Sequence, residues 1–593
     1  MTREPGANER PVPSGDNGVW GSDVVVDLLR ELDIPWVALN PGASFRGLHD
    51  SLVNRLGNER PQMLLCLHEE AAVAIAHGWA KVTERAMAAV AHSNVGLMHA
   101  TMAVFNAWCD RAPLLLLGAT GPVDAAKRRP WIDWIHTARD QGALVRNFTK
   151  WDDQPASIPA AIESILRAWR FSEAAPQGPT YVCLDAALQE QRVEQPVAMP
   201  EIARYRAPPP AAASAELVER AAQLLRAARR PAILMGRVSR AQSAWDQRVE
   251  FAERLGATVF TDMKTAAAFP TDHPLLGAVP STFASPGMNA KLREADVILV
   301  LDWIDLAGTL KSAWGQERIA ATIIDVSLDR QLHNGWSMDH QGLPPVDLAI
   351  EAAPDPTVAA LLAAMQDRTR RTSQRIAPPG AEPIEAETPL RVPHLAAILG
   401  RALAGRPVCL MRHPLSWAGH LWPVLHPLDF LGTDGGGGIG SGPGNSVGAA
   451  LALRGGDRLP LAILGDGDFL MGVTAVWTAV HYAIPLIIVV ANNRSFYNDE
   501  VHQERVAQMR GRPVENKWIG QHIREPDVDL AMIARGQGAT AFGPVRTAAE
   551  LEAAFSEALR AFGRGETVVI DARVEPGYDP GMASALAKGP ERS

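Results

Sequence analysis

The stretch from Gly465 to Asn493 constrains this chain most. A short apolar run, Leu461-Ala462-Ile463-Leu464, leads into Gly465-Asp466-Gly467-Asp468-Phe469. Val473 to Tyr482 then reads as a helix closed by Pro485, and a second apolar run, Leu486 to Ala491, leads into Asn492-Asn493. Apolar runs of this length bounded by turn residues read as buried strands. Strand, helix and strand in this order make a parallel βαβ unit, whose two strand ends face the same way. Asp466 and Asn493 therefore meet at one crevice. A carboxylate and an amide oxygen there suit Mg²⁺, which keeps few protein ligands and completes its octahedron with phosphate oxygens and water. Gly465 and Gly467 leave room for a close backbone approach to a ligand.

With the Gly-Asp-Gly triplet, the interval of 27 positions from Asp466 to Asn493 and the paired asparagines, the stretch resembles the metal–diphosphate motif of thiamine diphosphate (ThDP)-dependent enzymes. The resemblance implies Asp466, Asn493 and the main-chain carbonyl of Ser495 as ligands of an Mg²⁺ that bridges to the diphosphate. It also implies Gly465, Gly467 and Asp468 as cofactor-binding residues.

At 593 residues the chain exceeds one core, and two to four domains are expected. Net charge is -9 with both signs interspersed, so no basic stripe points to nucleic acid. No run is long and apolar enough for a membrane span. Cys66, Cys109, Cys183 and Cys409 lie in or near apolar runs, which suits reduced thiols and a cytoplasmic location. The fold class read from the pattern is α/β, with three consecutive doubly wound parallel-sheet domains. A disordered tail is expected over 1–18, a pyrimidine-binding domain over 19–190, and a Pro-rich linker over 191–212. A middle domain (213–371), a second linker (372–389), a diphosphate/Mg-binding domain (390–575) and a C-terminal tail (576–593) able to close as a lid complete the division.

Further residues carry the resemblance. His68-Glu69 at a strand end, followed by Ala71-Ala72 and Gly78-Trp79-Ala80, looks like the pyrimidine-domain motif. It implies Glu69 as the carboxyl group that binds the aminopyrimidine and promotes loss of the cofactor's C2 proton; Glu70 reads as structural. The glycine run Gly435 to Gly440 is similar to the loop that holds the aminopyrimidine through its backbone, with Gly438 on that loop and Ile439 as the apolar wedge beneath the cofactor. Asn40-Pro41-Gly42-Ala43-Ser44 resembles the Asn-Pro-Gly-Ser turn of benzoylformate decarboxylases, with Ala43 displacing the serine by one place. His92-Ser93 matches a His-Ser pair of the same enzymes and implies His92 as a proton shuttle; Asn94, His99 and Phe105 are candidates to line the same pocket. After Asn493, Asp499 and Glu500 are candidates for proton transfer, with Glu500 favoured because Asp499 can cap the helix that follows. In Arg230-Pro231-Ala232-Ile233-Leu234, Phe269-Pro270 with Asp272-His273-Pro274, and Ala295-Asp296-Val297, the middle domain resembles that of the acetolactate synthase and pyruvate oxidase group. Leu301-Asp302-Trp303-Ile304-Asp305 stands where an FAD-binding run is expected, so no FAD is expected, while an acyl-CoA is not excluded.

The resemblance implies an enzyme that cleaves or forms a carbon–carbon bond beside a carbonyl in a small-molecule substrate. Its cofactors are ThDP and Mg²⁺, and it works as a homodimer or homotetramer with shared sites. A 2-oxo-acid decarboxylase or carboligase is the first reading. A 2-hydroxyacyl-CoA lyase is the second, and a non-catalytic ThDP-fold subunit the third.

Overall fold

The computed structural model describes residues 9–13, 15, 18–332, 342–371, 374–376 and 383–578. Strands are numbered in chain order. In the first domain, β1 (Val19–Trp20) pairs antiparallel with β8 (Arg192–Val193) and closes the domain at its ends. Between them lie β2 (Trp36–Leu39), β3 (Gln62–Leu65), β4 (Met87–Ala91), β5 (Leu114–Thr120), β6 (Asp152–Asp153) and β7 (Pro179–Asp185). They form a parallel sheet in the order β3-β2-β4-β5-β7-β6. The middle domain holds β9 (Pro231–Met235), β10 (Thr258–Phe260), β11 (Val297–Leu301), β12 (Thr322–Val326) and β13 (Leu348–Ile350), parallel and ordered β10-β9-β11-β12-β13. The third holds β14 (Val408–Arg412), β15 (Leu459–Gly465), β16 (Leu486–Asn492), β17 (Thr540–Val545) and β18 (Thr567–Arg573), parallel and ordered β14-β15-β16-β18-β17. Three parallel α/β sheets in succession agree with the pattern read from the sequence. Strands such as β5 and β16 are buried along their whole length, because helices cover both faces of a parallel sheet.

The domains share their cores. One buried apolar cluster joins Ala71, Ile75 and Val104 of the first domain to Val447, Leu464 and Ile488 of the third. A second joins the middle and third domains. The first contact is a backbone approach between the helix Glu69–Thr83 and the helix Gly442–Ala452. A Cβ on Gly78 would lie 2.0 Å from the Asn445 carbonyl oxygen, and one on Gly448 would lie 1.9 Å from that of Ile75. Only glycine permits this spacing.

The sequence pattern predicts helices over Ala71 to Lys81 and Thr101 to Cys109, and both begin earlier in the structure. The helix expected from Ala71 begins at Glu69, because the His68 ring caps it: Nδ1 accepts the Glu70 N–H at 3.1 Å. The helix expected from Thr101 begins at Ser93, so Gly96 lies inside a helix rather than in a turn. Glu9 accepts from Tyr482 Oη at 2.9 Å and lies 2.9 Å from His481 Nε2, which ties it to the third domain. The expected C-terminal lid falls mostly outside the described residues. Its first part, up to Tyr578, packs on Tyr497 with ring centroids 5.3 Å apart, and Tyr578 Oη donates to Asn498 Oδ1 at 3.3 Å.

Candidate active site

Asp466 opens the helix Asp466–Gly472 at the carboxyl end of β15, and Asn493 follows the end of β16. Their oxygens converge on one donor: the Ser495 N–H lies 3.1 Å from Asp466 Oδ2 and 2.8 Å from Asn493 Oδ1. Asp466 is buried. Burial pushes its carboxyl up to about 6, against the opposing pull of the Gly467, Arg494 and Ser495 N–H groups. Among the described residues no lysine or arginine pairs with it. A buried carboxylate and an amide oxygen with no side-chain cation beside them are a donor set that fits Mg²⁺. A Cβ on Gly467 would meet Phe496 Cε1 at 2.6 Å, so a protein side chain already demands glycine there; around Gly465 the space is open.

Asp468 was expected at the cofactor. Its carboxylate is engaged within the protein: Oδ1 accepts from Gly440 N at 2.7 Å and Gly442 N at 3.2 Å, and Oδ2 accepts from Arg412 Nε at 2.8 Å. Arg412 also bridges to Asp434 at 2.5 Å. Asp434 in turn accepts from Ser441 Oγ and, at 3.1 Å, from Asn445 Nδ2. From the first domain, Asp110 accepts the Gly435 N–H at 2.8 Å and pairs with Lys81 at 3.1 Å. Burial alone would raise Asp110; Lys81 and His77 overcome it and hold the carboxyl at about 2. The glycine loop is thus held on both sides by buried aspartates whose charge Arg412 and Lys81 balance. Gly438 lies against Met102, where a Cβ would be 2.4 Å from Cε, and Ile439 stays 41% exposed, an uncovered apolar side chain on this loop.

Glu69, the first residue of its helix, is buried, and its Oε2 lies 3.1 Å from His99 Nδ1. Glu70 is raised above the usual carboxyl range by burial, with Asp468 and Asp434 adding to it, so it faces the glycine-loop network. The Asn40–Ser44 turn and His92 meet directly. Ser44 Oγ is 2.8 Å from His92 Nδ1, and the Ser44 N–H points at the same nitrogen at 3.4 Å. A Cβ on Gly42 would lie 2.2 Å from the His92 ring. The displaced serine therefore reaches the histidine despite Ala43. Burial lowers His92 below the ordinary histidine value, His136 adds to this, and Glu69 opposes it. The His136 ring stands 4.7 Å away, edge to face, and its carbonyl accepts from Ser93 Oγ at 2.5 Å. Asn94 Nδ2 donates to the Ile135 carbonyl at 3.2 Å, and Phe105 packs on Phe148 at 5.8 Å.

The helix after the metal motif spans Tyr497–Met509 and its N-cap is Phe496. Asp499 is therefore no cap; it is exposed, whereas Glu500 is buried. Glu500 accepts from Ser495 Oγ, and its Oε1 lies 3.0 Å from His522 Nε2. Arg412, His136 and His522 were not found from sequence. Arg412 alone left a signal there, a charge closing the apolar run Val408–Met411. A cavity of about 530 Å³ lies between the three domains, at the carboxyl ends of β9 and β11, with Asp110 and Arg111 of the first domain and Leu431 and Thr433 of the third on its walls. Arg237 lines it, pairing with Asp302 at 3.0 Å and Asp329 at 2.6 Å, and Arg111 of the first domain reaches Asp329 at 2.6 Å.

Three parallel α/β domains, with an Asp/Asn oxygen pair on one and a buried glutamate on another, define a class: enzymes that hold a diphosphate cofactor at strand ends. Comparison with known proteins names it. Residues 19–144 match the thiamine pyrophosphate enzyme N-terminal TPP binding domain, 218–334 the central domain and 413–572 the C-terminal TPP binding domain. The chain belongs to the thiamine diphosphate-dependent enzymes that act on carbon–carbon bonds. It is 27% identical over 565 residues to a probable 2-ketoarginine decarboxylase of Pseudomonas aeruginosa, covering 93% of each chain. It is 25% identical over 514 residues to the benzoylformate decarboxylase of the same organism, covering 84% of this chain and 89% of that one. The structure of a 4-hydroxybenzoylformate decarboxylase from Rhodococcus jostii superposes with a TM-score of 0.75 at 23% identity, covering 95% of this chain and all of that one. At that identity it bears on the fold alone. No helix among the described residues is long and apolar enough to cross a membrane.

Proposed function

We propose that this protein is a ThDP- and Mg²⁺-dependent 2-oxo-acid decarboxylase with carboligase capacity. The observation that carries this reading is the Ser44–His92 contact at 2.8 Å, in the same domain as Glu69. Two relatives, with names that give 2-oxo acids carrying a guanidino and an aryl tail, support it. Their common feature is the carboxylate beside a carbonyl, and this is the part of the substrate assigned to His92 and Ser44.

In this reading Asp466, Asn493 and the Ser495 carbonyl would hold Mg²⁺, and the glycine loop with Ile439 would hold the aminopyrimidine near Glu69. Bound ThDP supplies a carbon nucleophile and an electron sink for the bond that breaks. The protein's part is proton placement. Because the Ser44 N–H is directed at His92 Nδ1, that nitrogen accepts, and the ring proton sits on Nε2. A neutral Nε2–H can donate to a substrate oxygen without adding charge that would hold the carboxylate in place. Glu500, buried with its proton path through Ser495 and His522, is assigned proton delivery to the carbon left after bond cleavage; Asp499, exposed, is left out of that role.

The test is product analysis on protein reconstituted with ThDP and Mg²⁺. 2-Oxo acids with aliphatic, aryl and cationic tails are compared with 2-hydroxyacyl-CoA esters. Aldehyde from a 2-oxo acid supports the proposal. Formyl-CoA from a 2-hydroxyacyl-CoA, with no aldehyde from any oxo acid, replaces it with the lyase reading.

A further inference from the structure

We propose that His99 is a positioning residue for Glu69, acting as the N–H donor that fixes one carboxylate oxygen so that the other is free for the cofactor ring. The proposal rests on the assignment of Glu69 above and goes beyond it. His99 lies on the helix Ser93–Cys109, two turns in from His92, and its Nδ1 stands 3.1 Å from Glu69 Oε2. Toward an ionised carboxylate that nitrogen must carry its proton, because the carboxylate only accepts. The other oxygen, Oε1, has no protein hydrogen-bond partner among the described residues. It lies where a Cβ on Gly96 would approach to 3.1 Å, so the glycine keeps the space beside it clear. One oxygen of Glu69 is thus engaged within the protein and one is left for a ligand.

The ring that does this is itself oriented. His68 stacks on His99 with centroids 5.2 Å apart and planes 18° from parallel. His68 cannot turn freely, since its Nδ1 receives the Glu70 N–H that starts the helix. Helix cap, stacked ring, donor and carboxylate form one chain of contacts, and the residue that starts the helix is the one it orients. A donor of this kind acts on the outcome of proton sharing. Were Glu69 to pass its proton to a ring nitrogen of a bound cofactor, the His99 N–H would stabilise the carboxylate left on Glu69. Hydrogen bonds to charged groups are the stronger ones. Half of the His99 side chain is exposed, 52%, so replacing it removes little packing.

The experiment compares wild type, His99→Leu, His99→Gln and Glu69→Gln, each loaded with ThDP and Mg²⁺. Exchange of the bound cofactor's C2 proton into deuterated buffer is followed by acid quench and NMR. ThDP affinity is read from tryptophan fluorescence, and the melting temperature of the cofactor-free protein is measured as a control. His99→Leu is expected to slow exchange by about tenfold or more, the equivalent of ~1.4 kcal/mol, with melting temperature unchanged and affinity altered by less than about threefold. His99→Gln, which keeps an N–H donor, is expected to recover most of the rate. Wild-type exchange in His99→Leu beside slow exchange in Glu69→Gln overturns the proposal and leaves Glu69 standing. Equal slowing in His99→Leu and His99→Gln overturns the donor role. Wild-type exchange in Glu69→Gln removes the assignment of Glu69 and the proposal with it.

Discussion

His92 shows how a residue's neighbours decide its chemistry. A histidine at a strand end is legible as a candidate from its motif, but its protonation is not. Burial and the nearby His136 ring lower it, and the Ser44 N–H is directed at its Nδ1. The lowered direction has a definite sign: the ring stays neutral through the ordinary histidine range and gains its proton only further down. The acid limb of kcat/KM that reports this group should therefore lie below the usual histidine value, and stability should fall there as well, since the buried ring must charge. His92→Ala should cost ~100-fold or more in kcat/KM and abolish that limb; Ser44→Ala should cost less, about tenfold, and shift it. Steady-state kinetics across pH checks both. Between Asp499 and Glu500 the sequence favours Glu500 only on the ground that Asp499 can cap the helix, and the structure gives a different reason. The cap at Phe496 and the burial of Glu500 are tertiary facts.

At the scale of elements, what was legible was the alternation of apolar runs and helices, because buried parallel strands leave continuous apolar stretches. What was not legible were contacts between elements far apart in the chain. The helix start at Glu69 depends on the His68 ring, and a capping histidine is a weak sequence signal. The role of Asp468 depends on Arg412, 56 positions earlier, and on two glycine amides. A strong motif, Gly465 to Asp468, led to an expectation that all its polar groups face the ligand. The Asp468 carboxylate ties that motif to the glycine loop. Arg412→Met should leave Asp434 and Asp468 buried without their cation and cost ~3–5 kcal/mol, read by chemical denaturation. Gly78→Ala should destabilise by ~1–3 kcal/mol or more, since its methyl meets backbone at 2.0 Å and neither helix can yield without moving the other.

At the scale of the whole molecule, the two ThDP-binding domains form one body through a shared core. Large apolar side chains remain uncovered around the site: Met98, Trp131, Trp134, Ile439 and Met471. We propose that a second copy covers this face, in a homodimer or homotetramer, so light scattering at micromolar protein should give at least twice the 63.8 kDa chain mass; a monomer would contradict it. The oligomer was an expectation of the resemblance; the exposed tryptophans are the structural reason to keep it.

The most direct measurement follows labelled carbon dioxide from carboxyl-labelled 2-oxo acids, with wild type beside Asp466→Ala, in Mg²⁺ and in excess chelator. Release that needs both ThDP and Mg²⁺ in the wild type, and is absent in Asp466→Ala, is the predicted result. Absence of release from every oxo acid by ThDP-loaded wild-type protein, or release that persists in Asp466→Ala with chelator, would contradict the account.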